Sequence, residues 1–341
     1  MAVRVAINGF GRIGRAFLRA AVHDPQVEIV AINDLCDVEN LAYLLKYDSV
    51  YRQFPGQVSA EGGELVVGAK RIKVIAEKDP SKLPWKDLAV DVCVESTGIF
   101  DSFEKARAHI TAGARKVVIS APVKDAAPNS ATVLVGVNEE KLQTCDVTSN
   151  ASCTTNSASP LIAILDEALG VDKALLNTVH AYTATQSLVD SPVKGEDMRR
   201  GRAAAQNITP SSTGAAVAVT KAYPNLAGKF DGIALRVPVV AGSLVDITFI
   251  ARRETTAQEV NKILTDAAAS QRWQGIFAVS NEQLVSSDII GTTYASIADL
   301  PMTRVIGNLV KVLAWYDNEM GYAHTLLRHV KGAGIQNSVI G

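Results

Sequence analysis

The spacing of apolar and polar positions divides the chain into two differently built halves. In the first, short apolar runs alternate with stretches of helical period. Residues 3–7 read as a buried strand, and a helix follows through Phe17, Leu18 and Ala21. Val27–Asn33 is a second strand and Val38–Lys46 a second helix. Two short strands, Glu64–Val67 and 71–74, flank a glycine turn. Then come a buried strand at 90–95, a helix at 103–112 stopped by Gly113, and a strand at 116–120. Alternating strand and helix predicts a parallel, doubly wound sheet. Its ligand site would lie at the carboxyl ends of the strands, where Asp34, Thr97 and Ser120 fall.

The second half has a different rhythm. A helix runs on from Cys153, with Leu161, Leu165, Ala168 and Leu169 expected on one face. Strands at 174–179, 231–239, 244–251 and 309–315 follow one another more closely, with a helix at 258–268. This predicts a mostly antiparallel sheet backed by helices. A further helix opens after Ser211-Ser212-Thr213-Gly214. Tyr316–Tyr322 leads into a terminal helix through about Val330, and 331–341 reads as a loose tail. Residues 186–205 show neither period and carry Lys194, Arg199, Arg200 and Arg202, the mark of a long ordered loop. The fold class is α/β: an N-terminal Rossmann-type sheet plus a C-terminal α+β unit.

Gly9, Gly11 and Gly14 form G-x-G-x-x-G between the first strand and the first helix. In that setting the first glycine permits the tight turn and the second admits a pyrophosphate. The third lets helix and strand pack closely, with the helix N-terminus facing the phosphates. Asp34 ends the second strand, 20 positions after Gly14, where a ribose-binding carboxylate belongs. A carboxylate there accepts from both ribose hydroxyls. It would meet a 2′-phosphate as a like charge, at a cost of roughly 1–4 kcal/mol. The motif predicts NAD, in preference to NADP.

Ser149-Asn150-Ala151-Ser152-Cys153-Thr154-Thr155-Asn156-Ser157 joins a strand to a helix. Asn156 or a neighbouring Ser or Thr serves as N-cap. A thiol at a helix start meets free N–H groups and the positive dipole end, which favour the thiolate nucleophile. The plain alternative is a buried, inert cysteine, and the hydroxyl-rich flank argues against it. His180, at a strand end, becomes its candidate partner, since Cys and His need proximity in space and not in sequence. Ser211–Gly214 offers a second hydroxyl-rich helix start, a candidate anion site as well as an ordinary cap. Arg236 lies within an apolar strand and calls for a partner.

Composition narrows the classes. The chain has 341 residues, 48% hydrophobic and 20% charged, enough for two domains. A net charge of -1 gives no signal for nucleic acid or an anionic membrane surface. No run approaches a membrane span, and the four cysteines lack metal-site spacing, so a metal-free cytoplasmic protein is expected.

These stretches resemble the glyceraldehyde-3-phosphate dehydrogenase family. The resemblance runs through 7–15, 149–156, 180–186, 210–215 and 315–322, in the family's order. It implies Cys153 as nucleophile and His180 as base. It implies NAD contacts from Gly9, Gly11, Arg12, Ile13, Asp34, Lys78, Thr97, Ser120 and Asn318. Thr183 and Arg236 match the site for the substrate's phosphate. Ser152, Thr154, Arg200, Thr213 and Gly214 match the residues around the attacking inorganic phosphate. The resemblance also implies a homotetramer, with the long loop against a neighbouring subunit's cofactor. It implies an NAD-binding domain at 1–152, completed by the terminal helix at about 318–332, and a catalytic domain at 153–317. Ser157 stands where the family commonly has a cysteine, Ser191 precedes Pro192 where a leucine is frequent, and Gly195-Glu196 looks like a short insertion.

The implied reaction oxidises glyceraldehyde 3-phosphate with NAD through a thiohemiacetal and a thioester, which inorganic phosphate then cleaves. The close rival is erythrose-4-phosphate dehydrogenase, which shares the glycine and cysteine stretches; Thr183 favours the three-carbon substrate. A Cys–His acyl hydrolase without NAD is disfavoured by the glycine fingerprint with Asp34, and a non-catalytic NAD- or nucleic-acid-binding role draws no support from the charge balance.

Overall fold

The computed structural model describes residues 2–193 and 197–335. Lys194 and the Gly195-Glu196 insertion lie outside them, as does the end of the expected tail from residue 336. The chain forms two compact units, Met1–Ala151 with Ala323–Gly341, and Ser152–Tyr322.

The first unit carries a nine-stranded sheet. In spatial order it runs Ser130–Thr132, Val147–Ser149, Lys116–Ile119, Val92–Glu95, Val3–Asn8, Val27–Asn33, Lys70–Ile75, Glu64–Val67, Val58–Glu61. The first seven are parallel and the last two close the edge as antiparallel hairpins. Val5, Ala6 and Ile7 are fully buried, as continuous apolar runs in a parallel sheet should be. The strand order reverses between Val3–Asn8 and Val92–Glu95, which opens a crevice at their carboxyl ends.

Two local expectations change here. Val58–Glu61 is a strand that its weak apolar pattern did not announce. The single helix expected at 103–112 is two short ones, Phe103–Ala106 and Ala108–Thr111. The Arg107 N–H is shared between the Phe103 and Glu104 carbonyls, which tightens the turn and breaks the helix.

The second unit carries an eight-stranded sheet in the order Thr209–Ser212, Phe230–Val237, Val171–Ala181, Ser243–Ala251, Leu309–Tyr316, Ser296–Asp299, Phe277–Ser280, with Arg304–Ile306 added on Leu309–Tyr316. Most neighbours are antiparallel; Val171–Ala181 with Phe230–Val237 and Phe277–Ser280 with Ser296–Asp299 are parallel. Along Ser243–Ala251 burial alternates strictly, so one face is core. The helix Cys153–Leu169 packs on that face. It is enclosed on all sides from Thr154 to Leu165, not along one stripe, and Ala168 is exposed, contrary to its expected place. Ser211 and Ser212, expected at a helix start, instead end a strand, and the helix Ala215–Ala222 begins after Gly214. The terminal helix, Met320–Gly334, runs a turn beyond its expected end.

Candidate functional sites

In the first unit the crevice forms a cleft of about 290 Å³ lined by Asn8, Gly9, Gly11, Asp34, Lys78 and Thr97 among others. The glycines explain its shape. Gly9 has φ +93°, and a Cβ there would strike the Ser96–Thr97 backbone. A Cβ on Gly14 would collide with the Gly9 carbonyl, so helix and strand could not approach. A Cβ on Gly11 would meet nothing, because that position faces open space. This is the division of labour that a pyrophosphate cradle requires. The Asp34 carboxylate is fixed by two backbone donors, Phe10 N–H at 2.7 Å and Cys36 N–H at 3.0 Å. It stays half-buried at the cleft, with lone pairs to spare for ribose hydroxyls. The residues present therefore fit a dinucleotide.

Other expected contacts are distributed differently. Arg12 and Ile13 open the helix Arg12–Ala21, and the Arg12 side chain is drawn off to Asp48 at 2.7 Å. Ser120 follows the Lys116–Ile119 strand, and its N–H donates to the Glu95 carbonyl; it does not line the cleft. Asn318 belongs to the second unit, where its Oδ1 accepts from Gly242 N–H and Ser243 Oγ.

Beneath the cleft lies a network that sequence reasoning missed. Glu95 is 2% exposed, and its side chain meets Thr97, Asn8 and His109. Its Oε1 accepts from Thr97 N–H at 2.8 Å and Thr97 Oγ1 at 2.5 Å; its Oε2 accepts from Asn8 Nδ2 at 2.5 Å. His109 Nε2 lies 3.0 Å from Oε2. Trp85 Nε1, which can only donate, points at His109 Nδ1 at 3.0 Å, so His109 carries its proton on Nε2 and donates it to Glu95. The buried carboxylate is thus satisfied by neutral donors, and it locks Thr97 and Asn8 at the cleft floor. A Glu ending an apolar strand, with a His and a Trp elsewhere in the same unit, was the only signal.

In the second unit the helix start places the thiol. Ser152 is the N-cap, its Oγ accepting from Thr155 N–H at 3.1 Å; Asn156 lies inside the helix instead. Cys153 Sγ stands 3.3 Å from His180 Nε2. His180 is 3% exposed, near the end of Val171–Ala181. Arg236 is its register partner on the neighbouring parallel strand, which sets their side chains side by side. Arg236 Nη1 lies 2.7 Å from His180 Nδ1 and 3.2 Å from the Ala181 carbonyl oxygen.

The electrostatics depart from expectation. Burial pushes the Cys153 thiol above its usual range, and the opposing influence of Arg236 and the Thr154 amide does not cancel it. The helix start therefore does not by itself make this thiol acidic. Burial, then the Arg236 charge, lower His180 to about 3, so the imidazole is neutral around pH 7.

Around this pair, Thr154 donates to or accepts from the Tyr316 hydroxyl at 2.9 Å. Arg199 turns outward to Asp197 at 2.7 Å, whereas Arg200 turns inward, its Nη2 3.1 Å from Ser211 Oγ and its Nη1 3.5 Å from Thr185 Oγ1. Thr183 Oγ1 sits 3.0 Å from Thr185 Oγ1. Thr213 Oγ1 accepts from Ala215 N–H at 3.2 Å, and Gly214 caps the same helix.

A dinucleotide cleft on a doubly wound sheet and a second unit in which a half-buried cysteine meets a buried histidine define an NAD-linked oxidoreductase. The N-terminal NAD-binding domain of glyceraldehyde 3-phosphate dehydrogenase matches residues 3–103, and the C-terminal domain of the same enzyme matches residues 152–318. Over 330 residues the chain is 49% identical to glyceraldehyde-3-phosphate dehydrogenase 2 of Streptomyces arenae, covering 96% of this chain and 97% of that one. It is 51% identical over 328 residues to the glyceraldehyde-3-phosphate dehydrogenase of Thermotoga maritima, covering 95% and 97%. The corresponding enzyme of Geobacillus stearothermophilus is 48% identical over 330 residues, covering 96% and 97%. The chain belongs to the glyceraldehyde-3-phosphate dehydrogenase family. Among the described residues no helix is long and apolar enough to cross a membrane.

Proposed function

We propose that the protein catalyses the phosphorylating oxidation of D-glyceraldehyde 3-phosphate to 1,3-bisphosphoglycerate in glycolysis and gluconeogenesis, with Cys153 as nucleophile. The observation that carries this reading is the 3.3 Å contact between Cys153 Sγ and His180 Nε2 at a helix N-terminus. Gly9, Gly11, Arg12, Ile13, Asp34, Lys78 and Thr97 would hold NAD; by family resemblance Ser120 and Asn318 would join them, Ser120 from outside the cleft lining. When bound, NAD accepts the two electrons and the hydrogen removed from the aldehyde carbon.

The chain's own residues do the rest. His180 takes the Cys153 thiol proton as the sulfur attacks the carbonyl carbon, and returns it to the carbonyl oxygen, giving a thiohemiacetal. The Cys153 N–H and His180 steady the oxygen as charge develops on it. His180 accepts the hydroxyl proton as the carbon is oxidised, which leaves a thioester on Cys153. Arg236 and Thr183 hold the substrate's own phosphate, and a guanidinium does so as a bidentate fork. Ser152, Thr154, Arg200, Thr213 and Gly214 hold the inorganic phosphate that attacks the thioester. The inward turn of Arg200 toward Ser211 supports its part in this set over Arg199.

We also propose a cytoplasmic homotetramer with an NAD-binding domain at 1–152 plus about 318–332 and a catalytic domain at 153–317. Exposed Leu175, Ile233 and Leu309 on the second unit's sheet support subunit contacts there. Light scattering on the purified chain reads the assembly. The reaction is tested by following reduced nicotinamide with NAD or NADP and with glyceraldehyde 3-phosphate or erythrose 4-phosphate, each with and without inorganic phosphate. Phosphate-dependent turnover with NAD and the three-carbon aldehyde is expected. Preference for erythrose 4-phosphate, or turnover indifferent to phosphate, would overturn the reading.

A further inference from the structure

Glu95, Asn8 and Asn33 are the last residues of three neighbouring parallel strands, Val92–Glu95, Val3–Asn8 and Val27–Asn33. Register pairs Asn8 with Glu95 on one side and with Asn33 on the other, so the three side chains form one row at the carboxyl edge of the sheet. All three are buried, at 5% exposure or less. The row is hydrogen-bonded from end to end. Asn8 Nδ2 donates to Glu95 Oε2, and Asn8 Oδ1 accepts from Asn33 Nδ2 at 2.7 Å. Asn33 then closes on a backbone pair. Its Nδ2 donates to the Glu77 carbonyl and its Oδ1 accepts from the Glu77 N–H, both at 2.9 Å.

The direction of the row is fixed at both ends. A carboxylate only accepts, and the Glu77 N–H and carbonyl have set roles, whereas an asparagine amide can be turned either way. Turning Asn8 over would set its oxygen against the Glu95 oxygen and its nitrogen against that of Asn33. Turning both asparagines over would set the Asn33 nitrogen against the Glu77 N–H. One arrangement satisfies every member, and it is the one present. Each member also carries a piece of the cleft. Gly9 follows Asn8, Asp34 follows Asn33 and Lys78 follows Glu77, while Glu95 holds Thr97 by its N–H and its hydroxyl.

We propose that this row positions the dinucleotide site, with Glu95 as the positioning residue at its anchor. It fixes four loops relative to one another before the ligand arrives, and it couples the Thr97 side of the cleft to the Lys78 side. A cleft already in place costs less ordering on binding. The inference rests on the reading of this cleft as the NAD site. Glu95→Gln keeps the size of the side chain. With its oxygen on Thr97, its amide nitrogen meets the Asn8 amide and the His109 N–H, donor to donor. Turning Asn8 over moves the mismatch to Asn33, and so to Glu77. Asn8→Asp alone sets carboxylate against carboxylate. The two changes together restore the row: the new glutamine amide donates to the new aspartate, whose other oxygen still accepts from Asn33. The His109 Nε2 proton, now 3.4 Å from Asn8 Nδ2, has the new carboxylate within reach.

The test combines calorimetric titration with NAD and hydrogen exchange of the NAD-free protein, read by mass spectrometry on full-length wild type, Glu95→Gln, Asn8→Asp and the double variant. Each single variant should bind NAD about tenfold or more weakly. The Glu77 amide, at the far end of the row, should exchange faster in both. The double variant should regain wild-type affinity to within about threefold, together with slow exchange at Glu77. Full NAD affinity in Glu95→Gln overturns the positioning role even where its melting temperature falls. Unchanged exchange at Glu77 overturns the coupling, and a double variant no better than the singles overturns the row. If the single variants fail to fold, Asn33→Ala breaks the row from its other end. It should weaken NAD binding and speed exchange at Thr97, and full affinity there overturns the proposal. Wild-type protein that binds no NAD refutes the reading of the cleft itself, a result distinct from wild type and variant binding equally well.

Discussion

The Tyr316 ring meets His180 edge-on, with centroids 6.0 Å apart and planes at 72°. Its hydroxyl lies 2.8 Å from Thr178 Oγ1 and 2.9 Å from Thr154 Oγ1. One phenol thus ties the helix that carries the thiol to the strand that carries the imidazole. In Tyr316→Phe the Thr178 hydroxyl keeps the Leu244 carbonyl, 3.1 Å away, but the buried Thr154 hydroxyl loses the partner described here. The expected loss is about 1–2 kcal/mol in urea unfolding, with slower alkylation of Cys153 by iodoacetamide. Unchanged stability and unchanged alkylation would deny the hydroxyl this bridging role.

Gly11 and Gly14 separate ligand binding from folding. Alanine at 14 collides with the Gly9 carbonyl, so backbone must shift and the melting temperature should fall by several degrees. Alanine at 11 enters open space, so stability should hold while NAD affinity drops about tenfold or more. Thermal unfolding and NAD titration of the two variants read both effects. Equal loss of stability in both would mean that Gly11 serves the fold.

His329 predicts a dependence on acid. It is fully buried; its Nδ1–H donates to Asn150 Oδ1 at 3.1 Å and its Nε2 accepts from Thr148 at 2.7 Å. Burial, and then Lys116, lower it to about 3 from an ordinary 6.5. Below pH 6.5 the unfolded chain takes up a proton that the folded one refuses. Its contribution is therefore complete above pH 6.5 and declines as pH falls toward 3, by up to about 1.4 kcal/mol per unit. His180 adds a contribution of the same sign. Urea midpoints at pH 7.5 and 5 should fall further apart for the wild type than for His329→Gln. Equal differences would remove His329 as a source of acid lability.

Ser157, one helical turn beyond the thiol, is fully buried, and its hydroxyl has no hydrogen-bond partner among the described residues. Ser157→Ala should therefore be neutral or stabilising by up to about 1 kcal/mol in urea unfolding. A loss of more than that would mean that the hydroxyl is satisfied in solution.

Much of this could be read before any coordinates. Continuous apolar runs gave the parallel strands, because burial on both faces leaves no polar alternation to confuse them. The glycine spacing and Asp34 located the cleft, since few other residues fit those backbone demands. Cys153 and His180 could be named separately, but their pairing depends on strand register, which is set over long sequence distances. The same register brings Arg236 onto His180 Nδ1, a contact no linear pattern encodes. Glu95 and His109 escaped notice because a buried ion looks like any strand-end or helix polar residue until its donors are assembled around it. The acidity of Cys153 was misjudged for a related reason: the helix start is local, whereas desolvation comes from the whole surrounding core.

The covalent role of Cys153 is tested most directly by trapping it. The protein is mixed with glyceraldehyde 3-phosphate and NAD in the absence of inorganic phosphate, quenched in acid, digested and examined by mass spectrometry. The Cys153 peptide should carry an acyl group that vanishes when inorganic phosphate is added before the quench, and Cys153→Ala should carry none and turn over no aldehyde. Turnover by Cys153→Ala, or an acyl group found on a different residue, would contradict the mechanism at its first step.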